Sequence, residues 1–437
     1  MKRIVKKTRE LICALAVISI STLTFVPVNA QVSTGKAKII TSDAVAREWN
    51  EIAIKAILPN GPPFTAARFM TIVQLAVYEA VNSISGKYEP YLGTISAPSG
   101  ASQEAAAVVA AHNVLVNYFP GQAVALGLRR DASLAAIPDG QSKTDGMAVG
   151  AAAAAAMIAD RTGDGSAPPL FYTPANLDPY QWQITAGCPS GGVFKHWPNV
   201  RPFAIESASQ FRANEPPALK SGEYAQDFNE LQQVGDLNSP NRPQDRTDVA
   251  KLYAAGPGHY TWNYALLQIA SSRNDEISDT VRTMALLNMA ISDAFVSVFD
   301  SKYFYTTWRP VTAIPRGDED GNRKTTAGAF TPLISTPCFP GYPSAHGSGS
   351  GAARTILENA YGKSGHSINV FHPNALDSNG DPIVLNYSDL RDITDDVDDA
   401  RVYGGIHFRF DQVAGEKQGE EVGTYVYLNS LRRSGRE

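Results

Sequence analysis

The chain has 437 residues, 43% of them hydrophobic and 19% charged, an ordinary globular composition that excludes a collagen, a coiled coil or a disordered tail. Setting aside residues 1–30, with their five basic residues and one acidic residue, takes the formal net charge from −5 to −9. So acidic a chain is a poor nucleic-acid binder through its overall field, and any anion site in it must be built from locally concentrated cations.

Residues 1–30 read as a secretory signal. Lys2, Arg3, Lys6, Lys7 and Arg9 form a basic start, Leu11 to Val26 an apolar stretch, and Val28-Asn29-Ala30 a small-residue cleavage site. The apolar run is short for a membrane anchor, and no later segment is expected to span a bilayer: Met147 to Ala159, at 13 residues, is a buried helix. The expected location is therefore secreted or periplasmic, after cleavage near Ala30, with no stable membrane insertion.

From there the pattern is helical. Asp43 to Ile57 is a short helix stopped by Pro59-Asn60-Gly61-Pro62-Pro63. Phe64 to Ile84 is amphipathic, with Phe69, Ile72, Val73, Leu75, Ala76, Tyr78 and Val81 on its apolar side. Ser102 to Tyr118 starts on a Ser N-cap, and the alanine-rich Thr144 to Asp160 ends at Thr162-Gly163-Asp164-Gly165. Residues 165–220 are proline-rich and aperiodic, with Trp182 and Trp197, the mark of a long loop that shapes a site. Past Pro216-Pro217, helices resume at Ser221 to Val234, Asp245 to Ala254 and Asp275 to Phe299, after Pro343-Ser344 to about Tyr361, and at Ile393 to Tyr403 and Gln412 to Leu428. Strand alternations are few and no long repeat is present. The expected fold is all-α, a helical bundle with an N-terminal helical region (31–215) and a C-terminal catalytic bundle (216–437). Cys13 lies inside the signal; Cys188 and Cys338 remain, an even pair that an oxidising compartment would bridge, tying the irregular segment to the loop before Pro343.

Three motifs carry the chemistry. They are Lys302-Tyr-Phe-Tyr-Thr-Thr-Trp-Arg309-Pro310, Pro343-Ser344-Ala345-His346, and Arg401-Val-Tyr-Gly-Gly-Ile-His407-Phe-Arg-Phe-Asp411. Lys302, Arg309 and Arg401 are permanent cations, and arginine forks match tetrahedral oxyanions. Ser344 stands at a helix start, where its hydroxyl and the following amides can donate to an anion. His346 belongs to the same helix start. His407, six residues after Arg401, falls on a neighbouring face if the helix continues, with Asp411 one turn on to fix its tautomer. Each residue alone is more often a surface charge, a cap or a satisfied polar group; the joint spacing is what points to a site. His112, His196, His259, His366 and His372 have no such context. Asp377-Ser-Asn-Gly-Asp381 is too incomplete for a calcium loop, and Asp395-Asp396-Val-Asp398-Asp399 reads as acidic charge in a helix's first turn.

The set Lys-x6-Arg-Pro, Pro-Ser-x-His, Arg-x5-His-x3-Asp resembles the signature shared by vanadium-dependent haloperoxidases and type 2 phosphatidic acid phosphatases. It covers residues 302–411; Trp197 to Phe203 and the helix through Asp293 are similar to the soluble haloperoxidase branch. The resemblance implies that Lys302, Arg309, Ser344, the Ala345 amide and Arg401 hold the oxygens of an oxyanion, with His407 as axial ligand to vanadium or nucleophile on phosphorus. It makes His346 the acid–base group. Three departures stand out: Ala345 occupies a place often held by Gly or Ser, Phe299 stands where haloperoxidases often carry Trp, and Phe339 is similar to the chloroperoxidase version. Phe339 and Phe299 are the expected substrate-pocket residues.

The leading expectation is a haloperoxidase with vanadate as cofactor and hydrogen peroxide, a halide and a small organic acceptor as its partners. The alternatives are a periplasmic acid phosphatase acting through a phosphohistidine and a non-catalytic oxyanion-binding protein. About 180 mature residues upstream of the bundle favour the first, as in the haloperoxidases. Retention of both histidines weighs against the last, since binding needs only the cations.

Overall fold

The computed structural model describes residues 42–58, 61–188, 190–256 and 258–435. The expected signal segment, Cys13, Pro59 and Asn60 lie outside them, as does the side chain of His259.

Helix α1 (Ala44–Ile57) is followed by α2 (Pro63–Ser85), which starts with Pro at N1 and ends at Gly86 in the left-handed region. α2 is buried along most of its length, Met70 to Val81 included, because it runs between α3 (Gln103–Tyr118), α5 (Gln141–Asp160) and α9 (Ile277–Tyr305). Between α3 and α5 lies α4 (Ala123–Ala135), which the sequence pattern did not single out: its apolar residues are few, and Val124 and Leu128 point to solvent. Ser102 caps α3 by accepting from the Ala105 amide at 3.1 Å.

Residues 161–221 contain no long element among the described residues; they lie over the bundle as an irregular strap. Two devices fasten it. Asp293, fully buried on α9, accepts from the amides of Phe203 (2.7 Å), Ala204 (2.7 Å) and Ile205 (2.9 Å). Cys188 and Cys338 are joined by a disulfide, and the Val193 amide donates to the Cys338 carbonyl.

Helices α6 (Gly222–Val234), α7 (Gln244–Ala255) and α8 (Gly258–Ser271) lead into α9. α9 runs six residues past Phe299, so Lys302 sits on its last turns. It is also long and apolar enough to cross a membrane, contrary to the expectation from sequence, yet it is almost wholly buried as the central helix of the fold. After the short α10 (Pro310–Ala313), α11 (Ala345–Tyr361) leads to an antiparallel hairpin, β1 (Ser364–Leu376) with β2 (Pro382–Asp389). Among the described residues the hairpin is the one sheet in an otherwise helical fold. Its signal is a short alternation, with Ile368 and Val370 inward and Asn369 and Phe371 outward. Asp377-Ser-Asn-Gly-Asp381 is its turn, with the Asp377 carboxylate accepting from the Asn379 and Asp381 amides.

α12 (Leu390–Val402) and α13 (Arg409–Asn429) complete the bundle. The acidic run lies in the middle of α12, not in its first turn: Asp396 and Asp399 pair with Arg246 (2.7 and 2.9 Å), and Asp399 also with Arg409. α11 and α13 pack backbone against backbone. A Cβ on Gly415 would lie 2.4 Å from the Ser344 carbonyl, on Gly419 2.0 Å from the Ser348 carbonyl, and on Gly351 2.4 Å from the Glu416 carbonyl. That approach brings the first turn of α11 onto the first turns of α13. Among the described residues the larger hydrophobic cluster runs from Ala46 to Leu431, and a second gathers Tyr224, Phe228, Trp308, Tyr342, Phe408 and Phe410; the described residues pack as one compact unit.

Candidate functional site

The site forms where the C-terminal end of α9 meets the starts of α11 and α13. Ser344 caps α11, accepting from the Gly347 amide at 3.3 Å, while its own amide donates to the Asp411 carbonyl at 2.8 Å. Two acids anchor the start of α13, one its own and one from α6: Asp411 Oδ2 accepts from the Phe408 amide (3.2 Å) and Asp227 from the Phe410 amide (2.7 Å). α12 has already ended at Val402, so Arg401 and His407 do not share a helix as expected. His407 lies in the turn just before α13, and Gly405, at φ +79° and packed on the Gly235 carbonyl, supplies the reversal.

The lysine and both arginines are buried in this pocket. Lys302 Nζ donates to the carbonyls of Pro340 (3.0 Å), Gly341 (2.7 Å) and Pro343 (2.5 Å), an arrangement that uses all three hydrogens of an ammonium. Burial and then the Arg309 charge hold its pKa well below the ordinary lysine value. Arg309 donates through Nε to the Phe339 carbonyl (2.9 Å) and through one Nη to the Ile406 carbonyl (2.9 Å) and His407 Nε2 (2.8 Å). Burial pushes Arg309 down to about 9 and Arg401 down to about 10, so both stay charged at neutral pH. Arg401 donates to the Tyr253 carbonyl at 3.2 Å. The second Nη of Arg309 and Nε of Arg401 are buried donors with no partner among the described residues. Such a donor costs about 1–3 kcal/mol or more, so two of them in one cationic pocket mark the place of an acceptor.

The tautomer of His407 follows from its neighbours. Arginine has no acceptor, so Nε2 must accept from Arg309, and the proton sits on Nδ1, which donates to Asp411 Oδ2 at 2.8 Å. Burial first, then the charges of Arg309, Lys302 and Arg401, keep His407 far below the ordinary imidazole value and hence neutral. His346 is half-buried and lowered for the same reasons, burial first and then Arg401, Lys302 and Arg309. Its ring has no hydrogen-bond partner among the described residues. Burial pushes Asp411 up to about 7 against the opposing pull of Lys302 and Arg309.

Lys302, Arg309, Ser344, Ala345, His346, Arg401, His407 and Asp411 thus gather in one pocket. Phe339 borders it, with Lys302 Nζ and Arg309 Cζ 5.2 and 5.1 Å from its ring centroid. Phe299 is different: fully buried, it packs behind Phe339 and Phe64 and does not face the substrate side as expected. His112 bonds Asn113, and His196 accepts from the Leu170 amide; His366 and His372 lie on or near the hairpin. Sequence reasoning missed Phe64 and Phe194, whose rings reach this region from α2 and the strap. Asp398, read from the sequence only as part of the acidic run, is a buried carboxylate beside Gly347 that burial and Glu416 raise well above the ordinary value. The glycines at fours, Gly347-x3-Gly351 and Gly415-x3-Gly419-x3-Gly423, were a readable sign of close helix packing.

Residues 282–434 match the family model of the VCPO second helical-bundle domain. No curated protein matches the chain in sequence. Among solved structures, the chain is similar to a bacterial vanadium-dependent iodoperoxidase, with a TM-score of 0.74 and 22% identity over 92% of this chain and 100% of that one. It is also similar to a bacterial vanadium-dependent chloroperoxidase. The apo form gives a TM-score of 0.68 and 18% identity over 84% of this chain and 92% of that one. The holo form gives 0.69 and 17% over 90% and 99%. At these identities the likeness is one of fold.

Proposed function

We propose that this chain is a vanadium-dependent haloperoxidase, using vanadate and hydrogen peroxide to oxidise a halide to a hypohalous acid; the match of its C-terminal bundle and the likeness of its fold support the reading. The observation that carries the reading is the pair of orphaned donors on buried Arg309 and Arg401, beside the buried Lys302 and two neutral histidines. Their chemistry fits a tetrahedral oxyanion: two forks, an ammonium, a serine hydroxyl and the free amides at the start of α11.

When bound, vanadate supplies the activation of peroxide, the redox step that no side chain here performs. Lys302, Arg309 and Arg401 would neutralise the oxyanion's oxygens, and Ser344 and the Ala345 amide would donate to it. Asp411 holds the proton of His407 on Nδ1, leaving the Nε2 lone pair on the cation side, where an arriving anion would compete for Arg309. His346, neutral and unbonded, is the group free to take and return a proton. Anion binding would lift its basicity by cancelling the three charges that depress it. The basic, apolar and small-residue order of residues 1–30 supports export of the chain.

Titration of apo-protein with orthovanadate, followed by vanadium-51 NMR, tests the cofactor. A bound resonance at one equivalent is expected, and Arg401→Ala should weaken it at least about tenfold, the loss of one charged hydrogen-bonding partner. No bound resonance in the parent would refute the reading.

A further inference from the structure

Beside the cationic pocket lies a second cavity of about 200 Å³ with a wholly apolar lining. Its walls include Pro63 and Phe64 from α2, Phe194 from the strap, and Phe295 from α9. Gly349 of α11 leaves room for the Phe295 ring: a Cβ there would stand 2.8 Å from it. Phe64 is the hub, packing edge-on against Phe194 (5.0 Å), Phe295 (4.9 Å) and Phe339 (5.8 Å between centroids). Phe194 holds its place at φ +63°, a backbone conformation that a bulky residue adopts at a cost and that surrounding structure must enforce. The cross-link and the Val193 to Cys338 hydrogen bond do so from one side.

Ala345, Phe339 and His346 border both the cationic site and this cavity. Phe339 carries the lysine and arginine charges near its ring and lines the apolar space; His346 lines that space too, showing it only carbon. An apolar cavity of about 150 Å³ in another protein stays dry and takes benzene. This one is of similar size but partly open to solvent, has aromatic rings on its walls, and offers no hydrogen bond to a charged or strongly polar guest.

The geometry points to a binding site for a neutral, single-ring aromatic molecule, held across His346 and Phe339 from the oxyanion pocket. It rests on the haloperoxidase reading for its role: the bound ring is the acceptor of the oxidised halogen. In that step a carbon–halogen bond forms, the oxygen–halogen bond of the hypohalous acid breaks, and the ring proton leaves with the hydroxide as water.

Fluorobenzene binding to apo-protein, without vanadate or peroxide, tests the site by fluorine-19 NMR. Saturable binding at one equivalent is expected. Gly349→Ala, whose Cβ would crowd the Phe295 ring that walls the space, should weaken it at least about tenfold, and Phe295→Leu in the Gly349→Ala background should restore it. Circular dichroism checks that each variant folds; a folded Gly349→Ala that binds like the parent, or a parent without saturable binding, overturns the site. With anisole, peroxide and bromide, the loaded enzyme should give a para-to-ortho ratio different from that of reagent hypobromous acid; an identical ratio overturns the acceptor role. Fluorobenzene binding without any halide oxidation would refute the haloperoxidase reading and leave the cavity standing. Halide oxidation without fluorobenzene binding would do the reverse.

Discussion

His407 donates to Asp411 through Nδ1 and accepts from Arg309 at Nε2, so its removal should separate binding from turnover. In His407→Ala the cationic cradle persists: orthovanadate binding should weaken without vanishing, while halide oxidation collapses, and parent-like turnover would contradict a role for His407 in holding the cofactor. His346→Ala should keep anion binding and slow turnover by about a hundredfold or more. His346 also sets a pH dependence. The folded apo-protein keeps it neutral where the unfolded chain takes a proton near the ordinary value of 6.5. Below that pH the unfolded state binds the extra proton, so the parent should lose stability relative to His346→Gln, by at most about 1.4 kcal/mol per pH unit. Urea denaturation of both proteins between pH 7 and 5 measures it; parallel curves would mean that the ring charges freely. At this scale the polar half of the site was legible, because cations, serine, histidines and Asp411 lie at fixed short spacings. The aromatic half was not. Phe64 lies more than 200 residues from His346 in the chain, and nothing local distinguishes its ring from any other core phenylalanine.

Helices α11 and α13 set the distance between Ser344 and Asp411 through glycines, and that distance should be intolerant of a methyl group. Gly419→Ala should cost about 2–3 kcal/mol by denaturation, since the new Cβ meets the Ser348 carbonyl, which cannot move without its helix. A cost below half a kcal/mol would show that the helices part freely. Asp293→Asn should cost a similar amount, about 2 kcal/mol, because one amide oxygen must serve three backbone donors and its NH2 group faces them. The longer helices were legible from periodicity and serine caps. α4 and α8 were not, because α4 buries few residues and α8 follows a Gly-Pro-Gly break that reads as loop. The spacing of Arg401 and His407 suggested one helix, but two glycines end α12 between them and turn His407 back toward Arg309.

Across the molecule, one bundle carries the charges, while α2 and the irregular strap roof it with aromatic rings. The disulfide closes a span of 150 residues between strap and bundle. Its loss in Cys188→Ser should lower stability by about 3–5 kcal/mol by loop-entropy reasoning and loosen Phe194 from the cavity. An unchanged denaturation midpoint would contradict this. The bundle was legible as a whole because three motifs fall at the ends of its helices. The hairpin escaped notice, since four alternating residues do not outweigh a helical background. The most direct measurement is a paired assay on one preparation: apo-protein loaded with orthovanadate and given peroxide with iodide, bromide or chloride, beside apo-protein given a phosphate monoester. Vanadate-dependent halide oxidation that disappears in His407→Ala, with little ester hydrolysis, is the expected result. Rapid hydrolysis of the ester with no halide oxidation would contradict it and make the same pocket a phosphatase.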